Sequence, residues 1–292
     1  MSIDLSKSEL TIDRIIEVVS AALEEDAPRG DVTSEYLIPE SATATAELNA
    51  REPGVFAGGP VFVAAFKLLD ESLDVELKVD EGQVFEAGQL LATVSGKARS
   101  ILQAERIGLN FVQRMSGIAT LTNSYVRAVA GTKAKILDTR KTTPLLRAFE
   151  RHSVLCGGGQ NHRFSLSHMV MAKDNHLAVL TAGGKNLGEE LLRVRKALPV
   201  GIKVEVEVDR LDQIGDVIAG QPEVIMLDNF ELEDLRTAVE LIAGRALTEA
   251  SGGVNLATVT AIAQTGVDYI SVGALTHSAR ALDLGLDIEI NR

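Results

Sequence analysis

Between Asp138 and His176 the chain reads DTRKTTPLLRAFERHSVLCGGGQNHRFSLSHMVMAKDNH and carries four of the protein's five histidines. Lys133, Lys135, Arg140, Lys141, Arg147, Arg151, Arg163 and Lys173 lie in or beside this stretch, against only Asp138, Glu150 and Asp174. The whole chain has a formal net charge of -12. A basic pocket inside an acidic protein focuses a positive field on one place. It suits a small, highly charged anion, because the acidic remainder repels a long polyanion. The triplet Gly157–Gly159 marks backbone that passes close to something.

Carboxylates supply the complementary chemistry. Glu205 and Glu207 are two residues apart in a strand-like run, so both point to one face. An inward pair is costly without a cation or metal; otherwise one of the two caps a solvent-facing edge. Glu207, nearer the strand end, is the better metal candidate. Asp228 closes the apolar run Val224–Leu227, or else caps a helix before Glu231. Glu207 and Asp228 together offer what one Mg²⁺ takes, one or two carboxylates with substrate oxygens completing the shell.

Arg140, Arg163 and Lys173 fall at the ends of barrel elements, with His162 beside Arg163; lone charges are usually solvated surface groups, but three so placed read as functional. Arg147, Arg151, His152 and His168 read as surface or structural residues. Cys156 has no base at a fixed spacing and reads as a small packed side chain. His152 and His162 complete no zinc motif with it.

The elements that must position these groups fall into two unequal parts. Residues 11–25 have helical apolar spacing through Ile12, Ile15, Ile16, Val19, Ala22 and Leu23. From Ala44 to Gly96 short alternating strands are separated by Gly and Pro turns. VDEGQVFEAGQLLATV (79–94) looks like the hairpins of lipoyl and biotinyl domains, but no lysine lies inside it, so it reads as a structural half-barrel. Ala98–Met115 is predicted helical, with a polar stripe of Arg99, Gln103, Arg106 and Asn110. From about Lys133 strands alternate with helices. The strands are 134–139, 168–174, 203–208, 223–229, 246–251 and 268–274, several of them continuous apolar runs of the kind that helices cover on both faces.

Such alternation builds a barrel or a doubly wound sheet. Nearly every strand ends in a capable group: Asp138–Lys141, Lys173–Asn175, Glu205 and Glu207, Asp228–Asn229, Glu249 with Ser251, and Gly273. That is the habit of α/β barrels, whose last two strands commonly hold a phosphate on backbone N–H groups. A doubly wound sheet would place its ligand at one switch point after a glycine-rich turn, and no GxGxxG is present. The barrel is favoured.

Composition bounds the rest. At 292 residues with 46% apolar content the chain can bury a sizeable core. A single cysteine permits no internal disulfide framework and suggests a reducing compartment. A polar, acidic N-terminus suggests no secretory signal. No run of about 18 apolar residues suggests a membrane span. A pI near 5.0 argues against nucleic-acid binding. A cytoplasmic setting is expected.

The motifs EDAPRGDVTS (25–34), QAERIGLNFVQRMSGIAT (103–120), DTRKTTP (138–144), GGGQNHR (157–163), KDNH (173–176), VEVEV (204–208), LDN (227–229), EASGGV (249–254) and SVGALTHS (271–278) resemble, in order and nearly end to end, those of the quinolinate phosphoribosyltransferase family. Arg29 and His168 depart from the family's habit, outside the site motifs. The resemblance implies an α/β fold: an N-terminal α/β sandwich domain (1–116), an incomplete seven-stranded α/β barrel (117–275) and a C-terminal tail (276–292) returning to the first domain. It implies phosphoribosyl transfer from phosphoribosyl pyrophosphate to quinolinate with loss of CO₂. Arg140, His162, Arg163 and Lys173 would grip the quinolinate carboxylates, joined by Arg106 from the other subunit of a homodimer. Lys141, Glu207 and Asp228 would serve the pyrophosphate end and Mg²⁺. Ser251, Gly252, Gly253 and Gly273 would hold the 5′-phosphate. The rival readings are a transferase of the same fold acting on another substrate, and a non-catalytic sensor of phosphoribosyl ligands.

Overall fold

In a computed structural model, residues 8–291 are described; residues 1–7, part of the N-terminus on which the absence of a leader is read, lie outside them. The chain divides into two compact units. The first draws on the chain up to Asn123, on Thr142–Gly158 and on residues from Leu275 onward; the second holds Ser124–Lys141 and Gly159–Ala274.

The first unit opens with α1 (Ile12–Asp26), whose N-cap Thr11 accepts the Arg14 amide N–H. α2 (Val32–Leu37) follows, capped by Asp31. Strand β1 (Thr43–Ala50) alternates exposed and buried residues, which places one face on the core. It is flanked by β2 (Gly54–Val55), α3 (Gly59–Leu69), β3 (Asp74–Leu77), β4 (Val84–Phe85) and β5 (Leu90–Lys97). Residues 79–94 do not form one hairpin module: β4 pairs with β2, while β5 joins β1 and β3 in a different sheet. Phe56, Phe62, Phe66, Phe85, Leu48 and Leu91 fill the core.

Helix α4 (Ala98–Ala128) is longer than Ala98–Met115, because nothing in MSGIATLTNSYVRA breaks the helical pattern. Its Gly117 lets the C-terminal segment cross: a Cβ there would overlap the Arg280 carbonyl oxygen. Gly117→Ala is therefore expected to destabilise the protein by about 1–3 kcal/mol through overpacking, read as a lower urea midpoint at unchanged m-value. Helix α5 (Arg147–Cys156) also belongs to this unit. Gly157 just beyond it lies against Ala119 and Thr122 of α4, where a side chain would collide. The close approach read from the glycine triplet is here helix packing.

The second unit is a parallel sheet. After β6 (Lys135–Leu137) come β7 (Val170–Ala172), α6 (Asp174–Leu180), α7 (Leu187–Ala197), β8 (Val204–Val208), α8 (Ile214–Ala219), β9 (Val224–Asp228), α9 (Leu232–Ile242), β10 (Leu247–Ser251), α10 (Val259–Ala263) and β11 (Tyr269–Ser271). The strand order is β6-β11-β10-β9-β8-β7. Gln160 adds a single parallel bridge on the free edge of β6, through Gln160 N–H to Ile136 O and Asp138 N–H to Gln160 O. The expected seven strands are thus six strands and a one-residue seventh position, and the barrel is incomplete. α11 (Ala274–His277) leads back to the first unit, where β12 (Leu284–Asn291) pairs antiparallel with β1 along its whole length and completes the order β12-β1-β5-β3.

Candidate active site

The parallel register brings strand ends together. Ser251 of β10 stands opposite Asp228 of β9, and Glu207 of β8 opposite Met226 of β9. Around these ends, within the second unit, lies an open cavity of about 640 Å³. Arg140, Lys141, His162, Arg163, Lys173, Glu207, Asp228, Ser251, Gly252 and Gly253 all line it. Gly273 does not line it; Ser271 on β11 does. Arg106 is exposed on α4 in the first unit. Thr139, Met171, Met226, Asn229 and Glu249 complete the wall. A further cavity, at the N-terminal ends of β9–β11, contains the Lys133–Asp268 and Arg195–Glu223 ion pairs together with Arg245, which donates to the backbone carbonyls of Leu241 and Ile242.

One side of the mouth is cationic. The buried Arg140 Nε has no hydrogen-bond partner. Arg163 donates to the Met169 carbonyl at 3.3 Å. Burial, then the neighbouring Arg140, lowers the pKa of Arg163, against the support of Glu205. Two guanidinium groups held near each other in a half-buried wall call for an anion with more than one charge.

The other side offers oxygens. Lys173 Nζ donates to Glu207 Oε2 at 2.5 Å, an ion pair at the rim of the mouth. Asp228 Oδ2 accepts from Asn229. Asp228 is not a helix cap, since Glu231 occupies that position for α9. An ammonium on Glu207 shows that positive charge is favoured at this edge, and the all-oxygen donors suit Mg²⁺. Across the mouth Gly252 and Gly253 both have positive φ, +91° and +61°. A Cβ on Gly252 would overlap the Asn229 side chain, whereas at Gly253 nothing lies within 4 Å, leaving room for a ligand against bare backbone.

Below the mouth lies a feature the sequence reading passed over. Glu205, far from capping an exposed edge, is 0% exposed, and Glu249 is 1%. His162 Nε2 stands 3.1 Å from Glu205 and 3.3 Å from Glu249, while its Nδ1 accepts the Arg163 amide N–H at 2.7 Å. Its Nε2 is thus turned toward carboxylates. Burial works against a charged imidazole, but Glu205 and Glu249 outweigh it and raise the His162 pKa to about 10. The Arg163 amide opposes a proton on Nδ1, so Nε2 keeps its proton in either charge state. Burial raises Glu205 to about 7, opposed by His162 and reinforced by Glu249. The available signal was the period-two pair Glu205/Glu207 itself: its inner member sits one layer deeper in the barrel. Arg151 and His152 are both buried, at 1% and 0%, while His168 is exposed, and none of the three lines this cavity.

An incomplete α/β barrel whose strand ends join arginines, carboxylates and a glycine cradle defines an enzyme class that handles phosphorylated, multiply anionic substrates. The comparisons with known proteins carry this further. The chain matches the quinolinate phosphoribosyl transferase N-terminal domain over residues 31–116 and the C-terminal domain over 118–287. It is 43% identical to the nicotinate-nucleotide pyrophosphorylase [carboxylating] of Mycobacterium leprae, covering 96% of this chain and 99% of that protein. It is 40% identical to the probable enzyme of that name from Bacillus subtilis, over 91% of each chain. The solved structure of NadC from Streptococcus pyogenes superposes with a TM-score of 0.92 at 37% identity, covering 98% of this chain and all of that one. The chain belongs to the quinolinate phosphoribosyltransferase family.

Proposed function

We infer that this protein transfers the phosphoribosyl group of phosphoribosyl pyrophosphate to the ring nitrogen of quinolinate, with loss of CO₂. The products are nicotinate mononucleotide and pyrophosphate, in de novo NAD biosynthesis. The observation that carries this is the division of the mouth into an arginine wall and a carboxylate–glycine wall, in a chain that matches the family nearly end to end.

Arg140, Arg163 and Lys173, with His162 beneath, receive the two quinolinate carboxylates. Arginine forks meet carboxylates bidentately. Ser251, Gly252, Gly253 and Gly273 take the 5′-phosphate. Lys141, Glu207 and Asp228 face the pyrophosphate end. Mg²⁺ held by the two carboxylates supplies charge neutralisation for the departing pyrophosphate. The chain's own groups then act mainly by positioning. The pyridine nitrogen bonds to the ribose carbon as the carbon–pyrophosphate bond breaks. The adjacent carboxylate next leaves as CO₂, its bonding electrons stay on the ring carbon beside the cationic nitrogen, and that carbon takes up one proton. The product's own positive charge assists this step. We place the enzyme in the cytoplasm; among the described residues no helix is long and apolar enough to cross a membrane. It acts as a homodimer, each subunit lending Arg106 to the other.

Release of labelled CO₂ from quinolinate carrying the label in its 2-carboxylate, dependent on phosphoribosyl pyrophosphate and Mg²⁺, tests the activity. Turnover of nicotinate without CO₂ release would instead favour the same-fold rival, and binding without turnover the sensor. Glu207→Gln and Asp228→Asn are each expected to lower turnover at least about tenfold, about 1.4 kcal/mol, and to raise the Mg²⁺ needed for half-maximal rate. Quinolinate affinity should stay nearly unchanged. A Mg²⁺ titration identical to wild type in both variants would remove them from the metal site.

A further inference from the structure

We propose that Glu81, His152 and Cys156 form a binding site for one borderline-soft divalent cation of the zinc class, within the first unit. His152 and Cys156 are one helical turn apart on α5 and so share a face. Both are buried, at 0% and 5%. Glu81 reaches them from the turn between β3 and β4, with its side chain 10% exposed. Its Oε2 stands 2.7 Å from His152 Nε2 and 3.3 Å from Cys156 Sγ, and Sγ stands 3.4 Å from Nε2. Ligand atoms of one tetrahedral zinc lie roughly 3.3–3.7 Å apart, given bonds of about 2.0–2.3 Å. Two of the three separations are near that range already, and the third must open by roughly half an ångström.

The surroundings favour a cation over the alternatives. His152 Nδ1 faces the Ser8 hydroxyl at 3.2 Å. With no cation bound, Nε2–H donates to Glu81 Oε2; a cation taking the Nε2 lone pair would shift that proton to Nδ1, where the Ser8 hydroxyl can accept it, the usual arrangement behind a metal-bound imidazole. Glu81 Oε1 accepts the amides of Gly58 and Gly59 at 3.0 and 2.6 Å, and Oε2, which faces the cluster, also accepts Gly58 N–H at 3.2 Å. A nucleophilic triad is excluded: glutamate and thiol both meet Nε2, so the carboxylate cannot orient the base from its other nitrogen. Of the three residues, Glu81 alone lines an open cavity, with Pro60, Leu77, Lys78 and Gln83.

The other histidine–carboxylate grouping among the described residues, His162 with Glu205 and Glu249, fails the same test. Its Nδ1 accepts a backbone N–H, so Nε2 keeps its proton and has no lone pair to give. Binding at Glu81, His152 and Cys156 forms a cation–sulfur bond and releases the thiol proton to solvent, with no change of oxidation state.

The test is titration of the tag-free full chain with Co²⁺ in excess Mg²⁺. One equivalent should bind and show a thiolate-to-cobalt charge-transfer band, which Zn²⁺ abolishes by displacement. Cys156 is the chain's one cysteine, so the band has a single source and should vanish in Cys156→Ser. His152→Asn and Glu81→Gln should weaken binding at least about tenfold. Independently of how any variant folds, zinc X-ray absorption on the wild-type chain should show one sulfur at about 2.3 Å. A first shell of nitrogen and oxygen alone, or less than one equivalent bound by the wild-type chain, overturns the proposal.

Discussion

Arg163→Ala is expected to raise the KM for quinolinate by about 10- to 150-fold while leaving that for phosphoribosyl pyrophosphate near its wild-type value. The magnitude is the loss of a hydrogen bond to a charged group, about 1.5–3 kcal/mol. Arg163 stands close enough to Arg140 to feel its charge, and both line the mouth, so a dianion relieves a repulsion that the empty site sustains. Arg140→Ala should behave alike. Lys173→Ala should add a second effect, because it also strips Glu207 of its counter-ion at 2.5 Å. Arg163→Lys should recover only part of the affinity, since an ammonium keeps the charge but loses the fork. Initial-rate kinetics with each substrate varied in turn decide the matter. Equal losses for both substrates in all three alanine variants would show that these side chains do not form a carboxylate pocket.

The second large effect concerns the subunit that owns Arg106. Arg106 is exposed on α4 in the first unit, whereas Lys141 lines the mouth in the second. With Arg106 donated across a two-fold axis, Arg106→Ala and Lys141→Ala are each nearly inactive as pure homodimers. Co-refolding the two makes about half the dimers mixed, and each mixed dimer has one site with both lesions and one with neither. Activity should recover to about a quarter of wild type. No recovery, with exchange verified by mass-labelled chains, would put Arg106 in its own subunit's site or in none.

Much of the site is readable from residue types alone, for a physical reason. Parallel strands covered on both faces are continuous apolar runs, so a charged residue that closes such a run has only the strand's C-terminal mouth to occupy. That logic reaches Glu207, Asp228, Ser251 and the Arg140–Lys141 pair, all of which line the cavity. Gly273 does not line the cavity, whereas Ser271 does. β11 ends at Ser271, so Gly273 lies beyond the strand, where alternation no longer places a residue on a face.

Depth and partnership are what the linear pattern cannot contain. The spacing of Glu205 and Glu207 puts them on one face, yet one is sealed in the barrel beside His162 and the other meets Lys173 at the rim. His162 reads as an anion ligand from its neighbours in GGGQNHR, but its ring is turned by Glu205 and Glu249, residues on two other strands. Cys156 reads as a lone thiol although His152 lies one turn away, because Glu81, which makes the pair a cluster, comes from 71 residues earlier in the chain.

The sequence by itself determined the elements and their chemistry: local apolar periodicity sets helix or strand, and strand-end polarity sets where the mouth opens. The tertiary structure alone decided how the strands close, which charges pair and which way each ring faces. Gln160 holds the seventh barrel position through one bridge, and β12 returns to β1 across most of the chain. Those outcomes rest on contacts between residues far apart in sequence, where packing and desolvation choose among partners that local pattern leaves equivalent.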